Sequence, residues 1–242
     1  MDLTGKHAFV TGSGKRLGRE IAQVLLQKGM NISAHFLNSL KEIEDLVAWA
    51  KLNSLGKVIP LQADLRDMSA LKSCVQRSTT LLGPVDLLIN SASDFFPTPL
   101  HSTTLQEWDS LFDLNLKAPF FLTQQIVSHM PRGAQIIFIA DVNGSQPMKH
   151  FSSYCATKAG LISLSKSLAK ELAPHIRVNS LSPGTLLLRD NASPLERTQA
   201  ENRTLLGRIG TPEDLVAGLL FLVGNSYITG FDLIIDGGRS LA

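Results

Sequence analysis

The sequence predicts a doubly wound α/β fold, with one mostly parallel sheet of seven strands and helices on both faces. The first observation is that short apolar runs alternate with longer segments of helical periodicity along the whole chain. The second is that the run 85–90 is apolar at nearly every position, as expected of a strand buried on both faces. With 242 residues, 44% of them hydrophobic, the chain can bury one large core. We therefore expect a single domain over residues 1–242.

Turn residues divide the chain into these elements. The predicted strands are 6–11, 31–36, 57–61, 85–90, 135–140, 177–182 and 232–235. A first helix ends at Lys28–Gly29, where a basic residue precedes a C-terminal glycine, and the later predicted helices are 41–55, 67–82, 105–127, 152–173 and 212–222. The segment 185–208 is polar with weak periodicity, which is typical of a lid that covers a substrate.

Composition narrows the classes of partner. The net charge of +2, with both signs interspersed, indicates neither nucleic acid nor a membrane surface as a partner. No apolar segment resembles a signal peptide or reaches transmembrane length. Cys74 and Cys155 stand far apart and the six histidines lack paired spacing, so we expect no metal site. Two reduced thiols are typical of a cytoplasmic protein.

A glycine-rich turn, 12–18, links the first strand to the first helix. Glycines let the backbone approach a pyrophosphate, and the helix N-terminus supplies free N–H groups and a positive dipole. This order of elements predicts a dinucleotide site at Gly12, Lys15, Arg16 and Leu17. The alternative is an ordinary strand-to-helix turn that uses glycine for its positive φ. The position of the turn at the start of an alternating chain favours the dinucleotide.

The ends of the next strands suggest which dinucleotide binds. NAD sites usually place an acidic residue about 20 positions after the glycines, and the residues 37–39 include none. Lys15, Asn38 and Ser39 offer donors to a 2′-phosphate, so we expect NADP, although NAD could bind the same loop. Asp64, after the third strand, either contacts the adenine or caps a turn. Asn90 ends the fourth strand, and we expect it at the cofactor too.

Reactive side chains follow the fifth strand. Tyr154 and Lys158 stand four residues apart on one helix face, which brings an ammonium close to a phenol. That charge is expected to lower the tyrosine pKa from about 10 towards the range of a working general acid. Asp141 lies at the carboxyl end of the strand, where open parallel sheets bind ligands. The alternative is a surface hydroxyl beside a solvated lysine.

Two further features surround that stretch. The loop 90–99 contains prolines and the adjacent aromatics Phe95 and Phe96, either of which could stack on a flat ligand or seal the core. Asn115 lies inside a predicted helix, where asparagine is unfavourable. If its side chain faces inwards it has a local polar role, whereas a solvent-facing asparagine would have none.

Together these features resemble the short-chain dehydrogenase/reductase family over essentially the whole chain. The resemblance depends on Thr11–Gly12 with Gly18, Asn115, Tyr154, Lys158, Pro183–Gly184 and the terminal Asp236–Gly237–Gly238. It implies a Rossmann-type sheet, Tyr154 as proton donor, and Lys158 as its pKa partner and a ribose ligand. It also implies that Asn115 holds a water relay to that lysine and that Pro183 and Gly184 lie beside the cofactor.

Two departures from the common family pattern indicate a branch. Arg16 stands where most members have glycine, and Asp141, thirteen positions before Tyr154, stands where most have serine. With the segments 15–18, 94–99 and 227–230, these residues resemble the pteridine reductase branch. That resemblance implies that Asp141, Tyr154 and Lys158 are catalytic and that Phe95 and the nicotinamide sandwich a pterin. It further implies that Arg16 and Ser93 reach cofactor phosphate and substrate, and that a homotetramer forms through 105–127, 152–173 and the C-terminal segment.

The charge of Asp141 also favours this branch. Ketone reduction develops negative charge on oxygen, which an ionised Asp141 would oppose, whereas reduction of a C=N bond needs a proton at nitrogen. We therefore expect NADPH-dependent reduction of a pterin, dihydropterin or folate-type heterocycle. One alternative is a 3-oxoacyl or ketone reductase in which Asp141 only caps the strand. Another is a catalytically silent dinucleotide-binding module, which the joint presence of Tyr154, Lys158 and Asn115 disfavours.

Overall fold

The computed structural model describes residues 2–188 and 191–242, and its centre is a parallel sheet. The strands are β1 His7–Val10, β2 Asn31–Phe36, β3 Val58–Gln62, β4 Leu87–Asn90, β5 Gln135–Ile139, β6 Arg177–Pro183 and β7 Asp232–Ile235. Their order is β3-β2-β1-β4-β5-β6-β7, and every neighbouring pair is parallel. The predicted seven-stranded α/β fold is confirmed.

Helices cover both faces of this sheet. They are α1 Arg16–Gln27, α2 Leu40–Leu52, α3 Met68–Leu82, α4 Leu105–Phe112, α5 Ala118–Ile126, α6 Ser152–Leu172, α7 Pro194–Asn202 and α8 Pro212–Gly224. One apolar cluster buries Ile21, Ile43 and Leu219 from α1, α2 and α8. The other buries Val75, Leu122 and Leu168 from α3, α5 and α6. Among the described residues, no helix has the length and apolar character needed to cross a bilayer.

The strand order determines where a ligand crevice opens. The chain moves outwards from β1 to β3, and β4 then pairs with the other side of β1. Open α/β sheets bind ligands at the carboxyl ends of strands beside such a reversal. Thr11 closes the base of this crevice, because its Oγ1 accepts from the N–H of Ser91 at 2.8 Å and of Ala92 at 2.9 Å.

The helix predicted over 105–127 is continuous as far as Ile126, but it is not α-helical throughout. A π-helical turn, Asp113–Lys117, separates α4 from α5, and the N–H of Ala118 bonds to the carbonyl of Asp113. Pro119 gives a physical reason, because it lacks the N–H that an α-helix would direct at the carbonyl of residue 115. Asn115 lies within this turn and is buried. Such π-turns occur frequently at functional sites.

The segment predicted as a lid, 185–208, has more order than its weak periodicity suggests. It contains α7, whose N-terminus is closed by a capping box between Ser193 and Glu196. Leu186 and Ala200 are buried against the domain. Arg189 and Asp190 of this segment lie outside the described residues. Its role as a lid stays a prediction.

The close packing of α1 on the glycine-rich turn leads to a stability prediction. A Cβ at Gly18 would lie 2.2 Å from the carbonyl oxygen of Gly12, whereas a Cβ at Gly224, also in a helix, meets nothing within 4 Å. We expect Gly18→Ala to lower the free energy of unfolding by about 1–3 kcal/mol, since backbone must move. Gly224→Ala serves as the control and should change it little. Urea unfolding of both variants measures this, and equal stabilities would contradict the packing.

Candidate active site

Tyr154 and Lys158 project from the first turns of α6 towards the end of β5, as predicted. The Tyr154 hydroxyl donates to Oδ2 of Asp141 at 2.7 Å. The Lys158 ammonium donates to the carbonyl of Ile139, the last residue of β5, at 3.0 Å. The structure therefore brings the predicted carboxylate, phenol and ammonium together at one strand end.

The two oxygens of Asp141 have different tasks. Oδ1 accepts from the backbone N–H of Asn143 at 2.8 Å and from its side-chain amide at 2.7 Å, which caps the short 3₁₀ turn after β5. Oδ2 is directed at Tyr154. The capping role and the site role considered for Asp141 are thus compatible, because the cap fixes the carboxylate that the phenol contacts.

The expected lowering of the tyrosine pKa by Lys158 is wrong for this arrangement. Burial raises the pKa of Tyr154 well above its usual value, and the charge and hydrogen bond of Asp141 raise it further. The Lys158 nitrogen lies 5.6 Å from the centroid of the phenol ring, whereas the Asp141 carboxylate contacts the phenol hydroxyl directly. Burial lowers the pKa of Lys158 to about 8, although Asp141 opposes that shift. Tyr154 is consequently a protonated hydrogen-bond donor at neutral pH.

Asn115 faces inwards, which gives it the local polar role that the sequence suggested. Its amide oxygen accepts from the Asp94 N–H at 2.9 Å, and its amide nitrogen donates to the Asp94 carbonyl, also at 2.9 Å. A longer contact of 3.4 Å reaches the hydroxyl of Thr157. The side chain therefore holds the loop after β4. Its expected part in a water relay to Lys158 stays a prediction.

The two aromatics of that loop have separate roles. The ring of Phe95 is 57% exposed; it stacks on Phe151 with centroids 4.7 Å apart and meets the edge of Tyr154 at 4.8 Å. Phe96 packs into a small cluster with Leu111, Tyr154 and Cys155. Phe95 thus offers an open aromatic face beside the phenol, while Phe96 seals the core.

The glycine-rich turn has the close contacts expected of a phosphate site. Gly12 has φ +68°, and a Cβ there would lie 3.0 Å from the Cα of Ala92. A Cβ at Gly14 would overlap the Ser39 hydroxyl at 2.0 Å, so the loop 37–39 after β2 is in contact with the glycine-rich turn. Arg16 also has a positive φ of 51°, and its guanidinium donates to the Leu187 carbonyl at 3.1 Å, in the segment predicted as a lid.

Other predicted cofactor residues surround the same crevice. Gly184 follows β6, donates to the carbonyl of Ile235 at 2.9 Å and leaves no space for a Cβ, which would lie 2.7 Å from Asp236. Pro183 is the last residue of β6. Leu17 directs its side chain into the core. Ser93 is exposed on the loop after β4.

The ribose side contains an acidic residue that the sequence analysis missed. Lys15 pairs with Glu42 of α2 at 2.9 Å, so a carboxylate lies beside the residues predicted to bind a 2′-phosphate. Asn38 is exposed next to them. Asp64 accepts from the N–H of Arg66 at 3.0 Å, as in a turn, and remains partly exposed.

Asn90 provides a test of whether a dinucleotide fits. It is 3% exposed at the end of β4, and neither atom of its amide has a partner among the described residues. Unpaired buried amides are costly, and one at a crevice is satisfied when a polar ligand binds. Together with the close contacts at Gly12 and Gly14, this amide fits a bound dinucleotide.

His35 is a buried residue of the site that the sequence analysis also missed. Its Nδ1 accepts from the Gly12 N–H at 3.3 Å and its Nε2 donates to the Ala63 carbonyl at 3.1 Å. Burial lowers the pKa of His35 to about 4, so the ring is neutral. It connects the glycine-rich turn to the end of β3. A lone histidine in an apolar strand gives no sequence signal for this role.

Comparison with known proteins identifies the family. Residues 6–199 match the family model of the short chain dehydrogenases, and the chain belongs to this family of oxidoreductases. It is 32% identical over 252 residues to 3beta-hydroxysteroid dehydrogenase 1 of Eggerthella lenta, covering 99% of this chain and 95% of that protein. It is likewise 32% identical to the 3-oxoacyl-[acyl-carrier-protein] reductase FabG of Thermotoga maritima, covering 98% and 99% of the two chains.

Solved structures agree with this assignment. A short-chain dehydrogenase/reductase of Serratia marcescens is 30% identical with a TM-score of 0.93, and the match covers 99% of this chain and 100% of that chain. A short chain dehydrogenase of Burkholderia cenocepacia, solved in complex with NADP, is 29% identical with a TM-score of 0.93 and 100% coverage of both chains. The resemblance to the family is confirmed, and none of these four proteins is named as a pteridine reductase.

The low pKa of His35 leads to a prediction for acid stability. The ring titrates at about 4 in the folded state and near its ordinary 6.5 when unfolded, so the unfolded chain binds the extra proton between these values. Stability is therefore lost as the pH falls through that window, by about 2 kcal/mol between pH 7.5 and 5. We expect His35→Gln to remove this part of the pH dependence. Urea unfolding at both pH values measures it. The exposed His101→Gln is the control, and an unchanged slope in His35→Gln would contradict the assignment.

Proposed function

We propose that this protein is an NADPH-dependent reductase of a pterin, a dihydropterin or a related folate-type heterocycle. The observation that supports it most directly is the 2.7 Å hydrogen bond from the Tyr154 phenol to the Asp141 carboxylate. The exposed ring of Phe95 also contacts this phenol, with the two ring centroids 4.8 Å apart. A planar heterocycle in this position would meet an aromatic ring, a proton donor and an anionic acceptor together.

The crevice residues would hold the cofactor. Gly12, Lys15, Arg16 and Leu17 would bind its phosphates through the turn and the N-terminus of α1, with Asn38 and Ser39 at the 2′-phosphate. The adenine, ribose and nicotinamide would contact Asp64, Asn90, Lys158, Pro183 and Gly184. When bound, NADPH supplies the hydride. The name of the Burkholderia structure and the lack of an acidic residue in 37–39 support NADP. Because Lys15 is paired with Glu42 in the free protein, it would have to leave Glu42 to bind the 2′-phosphate.

Tyr154 would supply the proton. Hydride adds to the carbon of a C=N bond while the ring nitrogen takes a proton, so one C–H and one N–H bond form as the double bond becomes single. The phenol is protonated at neutral pH and can pass its proton directly or through water. Asp141 would then accept hydrogen bonds from the amino and ring N–H groups of a pterin. Arg16 and Ser93 would contact substrate from the rim, under the segment 185–208.

A carbonyl reductase is the second candidate, and the comparisons favour it. The two curated relatives above are named as a 3-oxoacyl reductase and a hydroxysteroid dehydrogenase, so both act on carbonyl or alcohol groups. In such an enzyme Asp141 would only cap the turn after β5. The Asp141 carboxyl group beside Tyr154 disfavours this candidate, because a negative charge there would repel the developing oxyanion.

The cytoplasmic location expected from the two thiols stays a prediction.

Substitution of Asp141 separates the two candidates. We expect the native protein to oxidise NADPH, and NADH less well, with dihydrobiopterin or dihydrofolate. Asp141→Ser should lower this turnover by about 100-fold or more, because the carboxylate that orients the pterin is lost. Absorbance of NADPH measures the rates, with a simple ketoester assayed in parallel.

Asp141→Asn is the matched control, since it keeps the shape of the cap and removes only the charge. If pterin turnover depends on the charge, both variants lose it. Ketoester turnover by the native protein that survives in Asp141→Ser, without any pterin turnover, would contradict the proposal and support carbonyl reduction.

We also propose a homotetramer, whose contacts would use apolar surface on α4, α5 and α6. A groove between these helices is lined by Phe112, Leu116, Phe120, Gly160 and Leu164. Phe120 is 37% exposed there, and the C-terminal segment exposes Phe231 and Ile234. Exposed apolar residues that cluster in this way are typical of protein–protein contact surfaces.

Substitution in this groove tests the assembly. We expect the native protein to elute as a tetramer and Phe120→Arg to dissociate it, because a buried contact would then contain an unpaired charge. Size-exclusion chromatography with light scattering measures the mass. Leu52→Arg, at the exposed end of α2, is the control. A monomeric native protein would rule out the homotetramer.

A further inference from the structure

The position of Phe95 needs an explanation, because its ring is more than half exposed. A buried side chain is held by its surroundings, but a ring that receives a ligand must leave one face free. Its contacts with Phe151 and Tyr154 cover only part of it. The loop that bears it must therefore be held from behind, by groups that leave the aromatic face open.

Residue 94, directly before Phe95, has three polar anchors. Asn115 bonds both its N–H and its carbonyl at 2.9 Å. Its carboxylate accepts from the Nη2 atom of Arg66. Asn115 holds the backbone on both sides of the Asp94 Cα, and Arg66 holds its side chain. The Arg66–Asp94 pair therefore adds a third restraint on the chain where it enters Phe95.

Arg66 is itself held in place by three elements. It follows β3, its Nη1 lies 3.4 Å from Oδ1 of Asp64, and its Nη2 also approaches the Ser110 hydroxyl of α4 at 3.4 Å. Its side chain is 25% exposed. Its Nε is buried without a partner among the described residues, a cost that the three Nη contacts offset. The Arg66 guanidinium thus links Asp64, which is predicted to contact adenine, with the loop 90–99 that contains Asp94.

We infer that Arg66 and Asp94 are positioning residues that hold Phe95 over Tyr154 and so determine how tightly a planar substrate binds. The inference rests on the proposed function and deepens it. A planar substrate gains from stacking on a ring only when that ring is already in place, because ordering the loop upon binding would consume part of the gain. Because the pair acts through Phe95, its loss should weaken substrate binding, and only when the Phe95 ring is present.

A double-mutant cycle tests this inference in the intact enzyme. We expect Asp94→Asn to raise the KM for dihydrobiopterin about tenfold, with kcat and the Kd of NADPH changed by less than about threefold. Phe95→Ala should raise the same KM. In the Phe95→Ala background, Asp94→Asn should add less than about twofold, since the ring that it positions is absent. Arg66→Lys, which loses the forked contacts, should act in the same direction as Asp94→Asn.

Asp86→Asn is the matched control, because it removes an ion pair with Lys6 at the opposite end of the sheet. Independent effects of Asp94→Asn and Phe95→Ala would overturn the inference. So would equal losses of kcat, substrate affinity and NADPH affinity in Asp94→Asn, which indicate a general structural role. If only a ketoester is turned over, the proposed function fails. The same double-mutant cycle, run with the ketoester, then tests the positioning role alone. A non-additive effect of Asp94→Asn and Phe95→Ala on the KM supports that role, and additive effects overturn it.

Discussion

The hydrogen bond between Tyr154 and Asp141 is the interaction on which the active site depends. It joins the start of α6 to the end of β5 at 2.7 Å, in a position where the phenol is almost fully buried. Burial keeps the phenol protonated and the Asp141 carboxylate adds to this effect, while the second oxygen of Asp141 keeps the carboxylate in place through the Asn143 cap. The fold supplies both partners because parallel strands and their following helices place them at the same edge of the sheet.

Charge balance around this bond constrains the chemistry. Lys158 is 3% exposed, and its ammonium donates to the carbonyl of Ile139; burial favours its neutral form while Asp141 favours the ammonium. The carboxylate therefore stabilises positive charge on Lys158 and opposes negative charge on Tyr154. The phenol is protonated before a reduction begins, as a proton donor must be. The phenolate that remains after the proton is donated, and that the alcohol-oxidising direction needs at its start, is opposed by the carboxylate and favoured by a charged Lys158.

The sequence predicted the fold and the central three side chains because both depend on local patterns. Residues missed by the sequence analysis depend on distant contacts: Glu42 meets Lys15 only once α2 packs beside the glycine-rich turn. The raised pKa of Tyr154 also needed the structure, since desolvation is not visible in residue spacing. The π-turn at Asn115 and the capping box at Ser193 did have signals, Pro119 and Glu196. Apolar periodicity outweighed the first signal, and the weak periodicity of 185–208 concealed the helix that the second one begins.

Family membership and site chemistry constrain the substrate at different levels. Relatives at 32% identity share the sheet and the short-chain dehydrogenase pattern, which determine where a hydride donor binds. The substrate class depends on where charge develops after the hydride is transferred. An oxyanion forms beside Tyr154 when a carbonyl is reduced, and its repulsion by a carboxylate is largest at the transition state. A ring nitrogen that is protonated before or as the hydride arrives develops no such charge. If the proposed function holds, Asp141 discriminates between these substrates through the transition state, even in a fold that accommodates both.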